Sequence, residues 1–154
     1  MTDAAKPDTT AEPDLTIKRV FDAPRERMWR EWTEPEAFAD WYGGTAAEIP
    51  VESVSMDVRP GGSWNATMYA AGREIQWAGE YVEVDEPERL AFTVTDEPDN
   101  PERDLCTVVL TALDGDRTEL HFTQSGGHMS PEAYERAKQG WGTFFDRMEE
   151  RLAG

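Results

Sequence analysis

The sequence predicts an α+β domain in which a curved antiparallel sheet is covered by one long C-terminal helix. Two observations carry that expectation. Between Glu48 and Gln124 apolar side chains recur at every second position, in six runs separated by turn chemistry, which is the period of half-buried strands. Between Ser130 and Leu152 they recur every three or four, the period of a helix with one apolar stripe. A chain of 154 residues has the length of one domain and the volume for a real core.

Residues 1–13 (MTDAAKPDTTAEP) hold no large apolar side chain besides Met1 and read as a disordered leader, which leaves 14–154 as the single domain. Asp14 to Phe21 alternates as a first strand. Asp22-Ala23-Pro24 then starts a helix whose apolar side is Met28, Trp29 and Trp32. Thr33 with Glu36 three residues on is a capping-box pattern and opens a second short helix, ended by Trp41-Tyr42-Gly43-Gly44. The six strands are read at Glu48–Asp57, Gly62–Tyr69, Glu74–Val84, Arg89–Thr95, Asp104–Leu113 and Thr118–Gln124, forming a meander to which the first strand adds at an edge. Gly79 is a candidate bulge. In the last helix Ser130 is the expected N-cap and Pro131 the first helical residue. Tyr134, Ala137, Trp141, Phe144, Phe145, Met148 and Leu152 form its stripe. Gly140 and Gly142 each cost roughly 1 kcal/mol against alanine, a cost that points to close approach of the helix or to room for a ligand.

The net charge is −17, from 32 acidic and 15 basic residues. Such a chain repels the phosphates of nucleic acid and an anionic membrane surface. Only Lys6, Lys18 and Lys138 are lysines, so the acidic surface reads either as adaptation to high salt or as the product of an Arg- and Ala-biased genome. No secretory segment or membrane span is present, and the chain is expected to be soluble and cytoplasmic. The lone Cys106 excludes an intramolecular disulfide and any cysteine cluster for a metal, and no cofactor motif is visible.

One sheet face is unusually aromatic. Trp64, Ala66 and Met68 share a side of their strand, as do Leu90, Phe92 and Val94, and Leu120, Phe122 and Gln124. Between Glu74 and Val84 the phase is open, with Ile75, Trp77 and Tyr81 opposed to Ala78, Val82 and Val84. Gln124 is placed either to offer its amide to a ligand or to bond backbone at a strand end. Tyr134 stands either at a cavity mouth or at the core edge. His121 should face outward, and His128, in a loop that could cap the cavity entrance, reads as a solvated residue ahead of a general base; two isolated histidines with no ligand-spaced partners make no metal site. Neither Ser63 nor Ser125 lies in a nucleophile-elbow pattern. Among the many carboxylates, Glu74 and Glu80 are those whose strand phase could turn them inward.

The order of these elements resembles the helix-grip fold of the START-like, birch-pollen-allergen-like (SRPBCC) superfamily, and within it the branch of the ninety-kilodalton heat-shock-protein ATPase activator homologues. The stretches that carry the likeness are Phe21-Asp22-Ala23-Pro24 with Trp29 and Trp41; Val58-Arg59-Pro60-Gly61-Gly62-Ser63-Trp64; Gly79 through Leu90 running into Phe92-Thr93; Thr118 to Thr123; and Gly140-Trp141-Gly142. The resemblance spans Leu15 to Leu152. It implies a cavity between sheet and helix for hydrophobic, aromatic or lipid-like small molecules, with Trp64, Met68, Trp77, Phe92, Phe122, Trp141 and Phe145 as apolar surface and Gln124 and Tyr134 as polar anchors. It implies no shared catalytic set. A non-enzymatic ligand binder is therefore the leading expectation, ahead of a cyclase- or dehydratase-like enzyme. A chaperone-activating module comes last, because the activators use a further N-terminal domain where this chain has a short tail. The Trp41-Tyr42 pair and the exposed first-strand edge leave room for a homodimer.

Overall fold

The computed structural model describes residues 13–127 and 129–153. The expected leader, apart from Pro13, lies outside them, as does His128. The described chain runs β1 (Leu15–Phe21), α1 (Arg25–Thr33), α2 (Pro35–Trp41), β2 (Ala47–Glu48), β3 (Ser55–Met56), β4 (Ser63–Ala70), β5 (Arg73–Asp85), β6 (Arg89–Val94), β7 (Asp104–Leu113), β8 (Arg117–Ser125) and α3 (Pro131–Ala153). The sheet order is β1-β8-β7-β6-β5-β4-β2, with β3 also on β4 and every pairing antiparallel. β1 closes the meander at one edge, pairing from Leu15 opposite Gln124 to Phe21 opposite Thr118.

Two expected local structures form differently. The single strand expected over Glu48–Asp57 is two short pieces around a 3-10 turn at Val51–Ser53. Pro50 has no N–H to give a ladder, and its carbonyl accepts from both the backbone N–H and the hydroxyl of Ser53. The same hydroxyl accepts the Thr67 N–H at 3.1 Å, standing in for a missing strand partner. Ile49 and Val54 are buried on either side of the turn, so the detour fills the core. The Thr33–Glu36 capping box does not form. Thr33 ends α1 with its hydroxyl on the Trp29 carbonyl at 2.9 Å, and Glu34 is the cap residue before Pro35.

The bulge lies three residues beyond Gly79. Pairing slips between Tyr81 and Glu83, which makes Val82 the extra residue and turns it outward, 55 % exposed. Tyr81 is thereby buried opposite Phe92. Gly79 has a different task, since a Cβ there would lie 1.8 Å from the Thr93 carbonyl oxygen. That oxygen accepts the Trp64 indole N–H at 3.0 Å.

Ser130 caps α3 as expected, accepting from the Ala133 N–H at 3.1 Å. The buried stripe of Tyr134, Trp141, Phe145 and Met148 faces the sheet. Trp32 is the hub beneath it, 2 % exposed, with Trp41, Phe92, Phe122, Trp141 and Phe145 rings at centroid distances of 4.8 to 6.3 Å. Each such buried ring contributes roughly 1.5–3 kcal/mol. Trp41 and Tyr42, read above as a pair available to a dimer, are 0 % and 2 % exposed and belong to this core.

The end of α3 is fastened by charge. Glu31, 2 % exposed, receives two hydrogen bonds from Arg151, at 2.9 and 3.1 Å. Arg151 and Arg147 also both bond the Asp40 carboxylate. Partial burial raises the Asp40 pKa, but the two guanidiniums outweigh it and hold the carboxyl below its usual range. Arg151→Met leaves Glu31 buried without its cation and is expected to destabilise by about 3 kcal/mol. Changing both partners, Glu31→Met with Arg151→Met, should recover most of that loss in urea denaturation. A double variant as unstable as the single one would refute the assignment.

Candidate functional site

A cavity of about 370 Å³ opens between the first half of α3 and the ends of the central strands. Its position follows from a size gradient along the helix. Ala133, Ala137 and Gly140, at spacings of four and three, put small side chains on the face that lines the space. Further along the helix Phe145 and Met148, both 0 % exposed, pack the interior. A Cβ on Gly140 or Gly142 would meet no atom within 4 Å, so close approach explains neither glycine, and of the two only Gly140 lines the cavity.

The apolar wall is four rings, with Tyr42 in contact with the other three. Tyr42 lies 5.5 Å from Trp77, 5.6 Å from Trp141 and 5.2 Å from Phe144, and Trp141 lies 5.5 Å from Phe144. Val94 and Met129 complete it. Burial, with a smaller contribution from the nearby Cys106 and Asp96, raises the Tyr42 phenol well above its ordinary pKa and keeps it neutral. Burial likewise raises the Cys106 thiol and makes it an inert core residue.

At the polar end a hydrogen-bond chain crosses from helix to sheet. The Trp141 indole N–H donates to Gln124 Oε1 at 2.8 Å, and Gln124 Nε2 donates to Asp104 Oδ2 at 2.7 Å. The indole only donates and the carboxylate only accepts, so the orientation of the amide between them is fixed. The Tyr134 hydroxyl donates to Asp104 Oδ1 at 3.4 Å and accepts the Gly127 N–H at 2.9 Å. Asp14 Oδ2 ties the same loop to the start of β1 through the Gly126 and Gly127 N–H groups. Burial, reinforced by Asp104 and Asp14, pushes the Tyr134 phenol up to about 12.

The residues expected at the site divide into two groups. Trp77, Gln124 and Trp141 line the cavity, and Tyr134 stands behind it, joined through Asp104. Trp64 and Phe92 instead surround a void of only about 10 Å³ near Trp32. Met68, Phe122 and Phe145 are buried at 4 %, 0 % and 0 % exposure without lining the cavity. Glu74 and Glu80 are exposed, and His121 lies on the outer sheet face beside Arg89 and Thr107. Tyr42, Phe144, Asp96, Glu102, Asp104 and Arg136 line the cavity and were not among the expected site residues. For Asp104 the signal existed: it alternates with Cys106, Val108 and Leu110, all buried. Among the described residues no group of three or more His, Cys, Asp or Glu is placed to hold a metal ion, and no helix is long and apolar enough to cross a membrane.

A curved sheet gripping a long helix, with a cavity between them, defines a helix-grip protein of the SRPBCC type. More narrowly, the chain belongs to the family of Activator of Hsp90 ATPase homolog 1-like proteins (AHSA1), whose model matches residues 22–153. Among solved structures, a protein from Chromobacterium violaceum is 25 % identical over 88 % of this chain and 94 % of its own, with a TM-score of 0.76. One from Mycobacterium smegmatis is 25 % identical over 90 % of each chain, with a TM-score of 0.72. The AHSA1 protein from Silicibacter pomeroyi, 20 % identical over 90 % of this chain and 96 % of its own, shares the fold with a TM-score of 0.75. No curated protein matches the chain. Membership fits a ligand-binding or ATPase-activator-like module and fixes no particular ligand.

Two outcomes test the polar end. Gln124→Met keeps the approximate shape but leaves the Trp141 N–H without its acceptor, and should cost about 1–3 kcal/mol in chemical denaturation. For Tyr134, a pKa raised from 10.0 to about 12 means that the folded chain keeps a proton the unfolded chain releases. Its contribution to stability is complete below the unfolded value and is lost as pH rises through the folded one. Tyr134→Phe should therefore flatten the stability curve across that window, leaving the slope that Tyr42 and Tyr81 impose. An unchanged alkaline limb would contradict it.

Proposed function

We propose that the chain binds a small apolar or aromatic molecule in the cavity between sheet and α3, for transport, sequestration or sensing. The observation that supports this reading is the cavity itself. Its volume of about 370 Å³ falls in the range that holds small molecules, and it joins a four-ring wall to a hydrogen-bonded polar end. A chain folding for stability alone would fill such a space, because burying further side chains adds roughly 25 cal/mol per Å². Here Ala133, Ala137 and Gly140 leave it open. Within the hydrogen-bond chain Gln124 acts as an anchor directly and Tyr134 by holding Asp104.

The enzyme reading has one group in its favour, the buried carboxylate of Asp104. Its oxygens are bonded by Gln124 and Tyr134, an arrangement suited to orienting a ligand more than to exchanging a proton with it. The activator-like reading has family membership as its support.

Calorimetric titration with 4-tert-butylphenol, a neutral aromatic probe, tests the binding reading on the intact chain. Saturable binding is expected. Gly140→Leu projects a side chain into the cavity and should weaken the probe at least about tenfold, while the melting midpoint holds or rises because leucine favours the helix. Gly140→Leu that binds the probe as well as the parent would overturn the proposed location. Native mass spectrometry of the protein from its own source should show an added apolar mass that is lost on denaturation.

A further inference from the structure

The polar end of the cavity holds an amide donor without a partner, and this narrows the ligand class, an inference that rests on the binding site proposed above. Gln124 lines the cavity and is 7 % exposed. Its amide cannot turn over, because Oε1 accepts the Trp141 indole N–H at 2.8 Å while Nε2 donates to Asp104 Oδ2 at 2.7 Å. An amide nitrogen carries two hydrogens, and the second one of Gln124 makes no hydrogen bond among the described residues. The acceptors beside it are already engaged, Oε1 by Trp141 and the two Asp104 oxygens by Gln124 and Tyr134. The same imbalance recurs on another wall. Trp77 also lines the cavity, and its indole N–H is buried without an acceptor. Unpaired buried donors are rare in native structures because they are costly, and a ligand that brings an acceptor removes that cost.

We propose that the ligand is a carbonyl compound, a ketone or ester on an aromatic or alkyl body, and that Gln124 Nε2 donates its second hydrogen to the carbonyl oxygen. A carbonyl oxygen only accepts, so it asks nothing of the acceptors that are already engaged. An alcohol or amine brings a donor of its own, and a hydrocarbon of the same shape leaves the Gln124 N–H unpaired. The apolar body lies along Ala137 and Gly140. No covalent bond is made or broken.

Two probes of one shape isolate the oxygen: 4-tert-butylacetophenone and 4-tert-butyl-α-methylstyrene, in which a methylene group replaces it. Each is added to the intact chain, labelled with nitrogen-15, and followed in proton–nitrogen correlation spectra. The chain holds only three glutamines, Gln76, Gln124 and Gln139, so the two Hε2 signals of Gln124 are readily assigned. The ketone should move one of them downfield, by more than the styrene moves either. Competition calorimetry against 4-tert-butylphenol gives the ratio of ketone to styrene affinity, which Gln124→Met should lower at least about tenfold. If Gln124→Met does not fold, the spectra of the parent chain decide alone. Equal shifts of the Gln124 amide by the two probes, or a ratio that survives Gln124→Met, would overturn the carbonyl class while leaving the binding site in place. So would a chain that binds 4-tert-butylphenol but not the ketone. Failure of all three molecules to bind would overturn the binding reading and this one together.

Discussion

Everything in this molecule depends on burying one aromatic helix face against a sheet bent enough to surround it. A flat sheet would touch α3 along a single line. The slip between Tyr81 and Glu83 bends β5, puts Val82 outside and directs Tyr81 inward. Trp32, from α1, then fills the space between the bent sheet and the helix and contacts five other rings. The two short helices thus belong to the core as much as the sheet does, and the buried Glu31 carries the same constraint to the last turn of α3 through Arg151.

Packing is uneven along that helix, and the unevenness is what leaves a cavity. Near Phe145 and Met148, both 0 % exposed, the interior is closed. Toward the start of α3 the lining side chains shrink to alanine and glycine, and the space widens between Phe144 and the strand ends. A void lined only by apolar atoms would stay dry and gain nothing from polar groups. This one ends instead on Gln124 and Asp104, which are buried and hydrogen-bonded to each other. Burying a carboxylate is costly unless it is well bonded, and the bonds from Gln124 and Tyr134 meet that requirement while holding β7, β8 and α3 in fixed relation.

The fold was largely legible from periodicity. Strict alternation from Trp64 to Met68 and from Leu120 to Gln124 marks strands with one buried face, and the stripe from Tyr134 to Met148 marks the helix. Where reading failed, a local bond outcompeted the pattern. Pro50 and Ser53 broke a strand that alternation alone would continue, and Thr33 bonded back to Trp29 when the capping rule expected it to start the next helix. The cavity was harder to see, for a physical reason. Alternation tells which face of a strand is inward but not how far along the strand the interior is filled. Trp64 and Trp77 both sit on inward phases, yet one closes the packed end and the other lines the open end. Tyr42 lay in a turn with no period at all. Asp104 was hidden by the habit of placing carboxylates outside, although its phase was inward.

The close coupling of the polar chain to the loop at Gly126 and Gly127 bears on how the two ends of the domain communicate. A Cβ on Gly126 would sit 1.8 Å from Asp104 Oδ1, so the loop backbone lies directly against the carboxylate. Asp14 holds the same two N–H groups from the side of β1, and the Tyr134 hydroxyl holds one of them from α3. The first strand, the last helix and the cavity floor therefore meet at one short loop. Side chains that stabilise the sheet edge are the same ones that position Asp104 and, through Gln124, the Trp141 ring. Stability and site geometry are set there by a single group of hydrogen bonds, so a substitution at Asp14 or Tyr134 acts on the cavity even though neither side chain lines it.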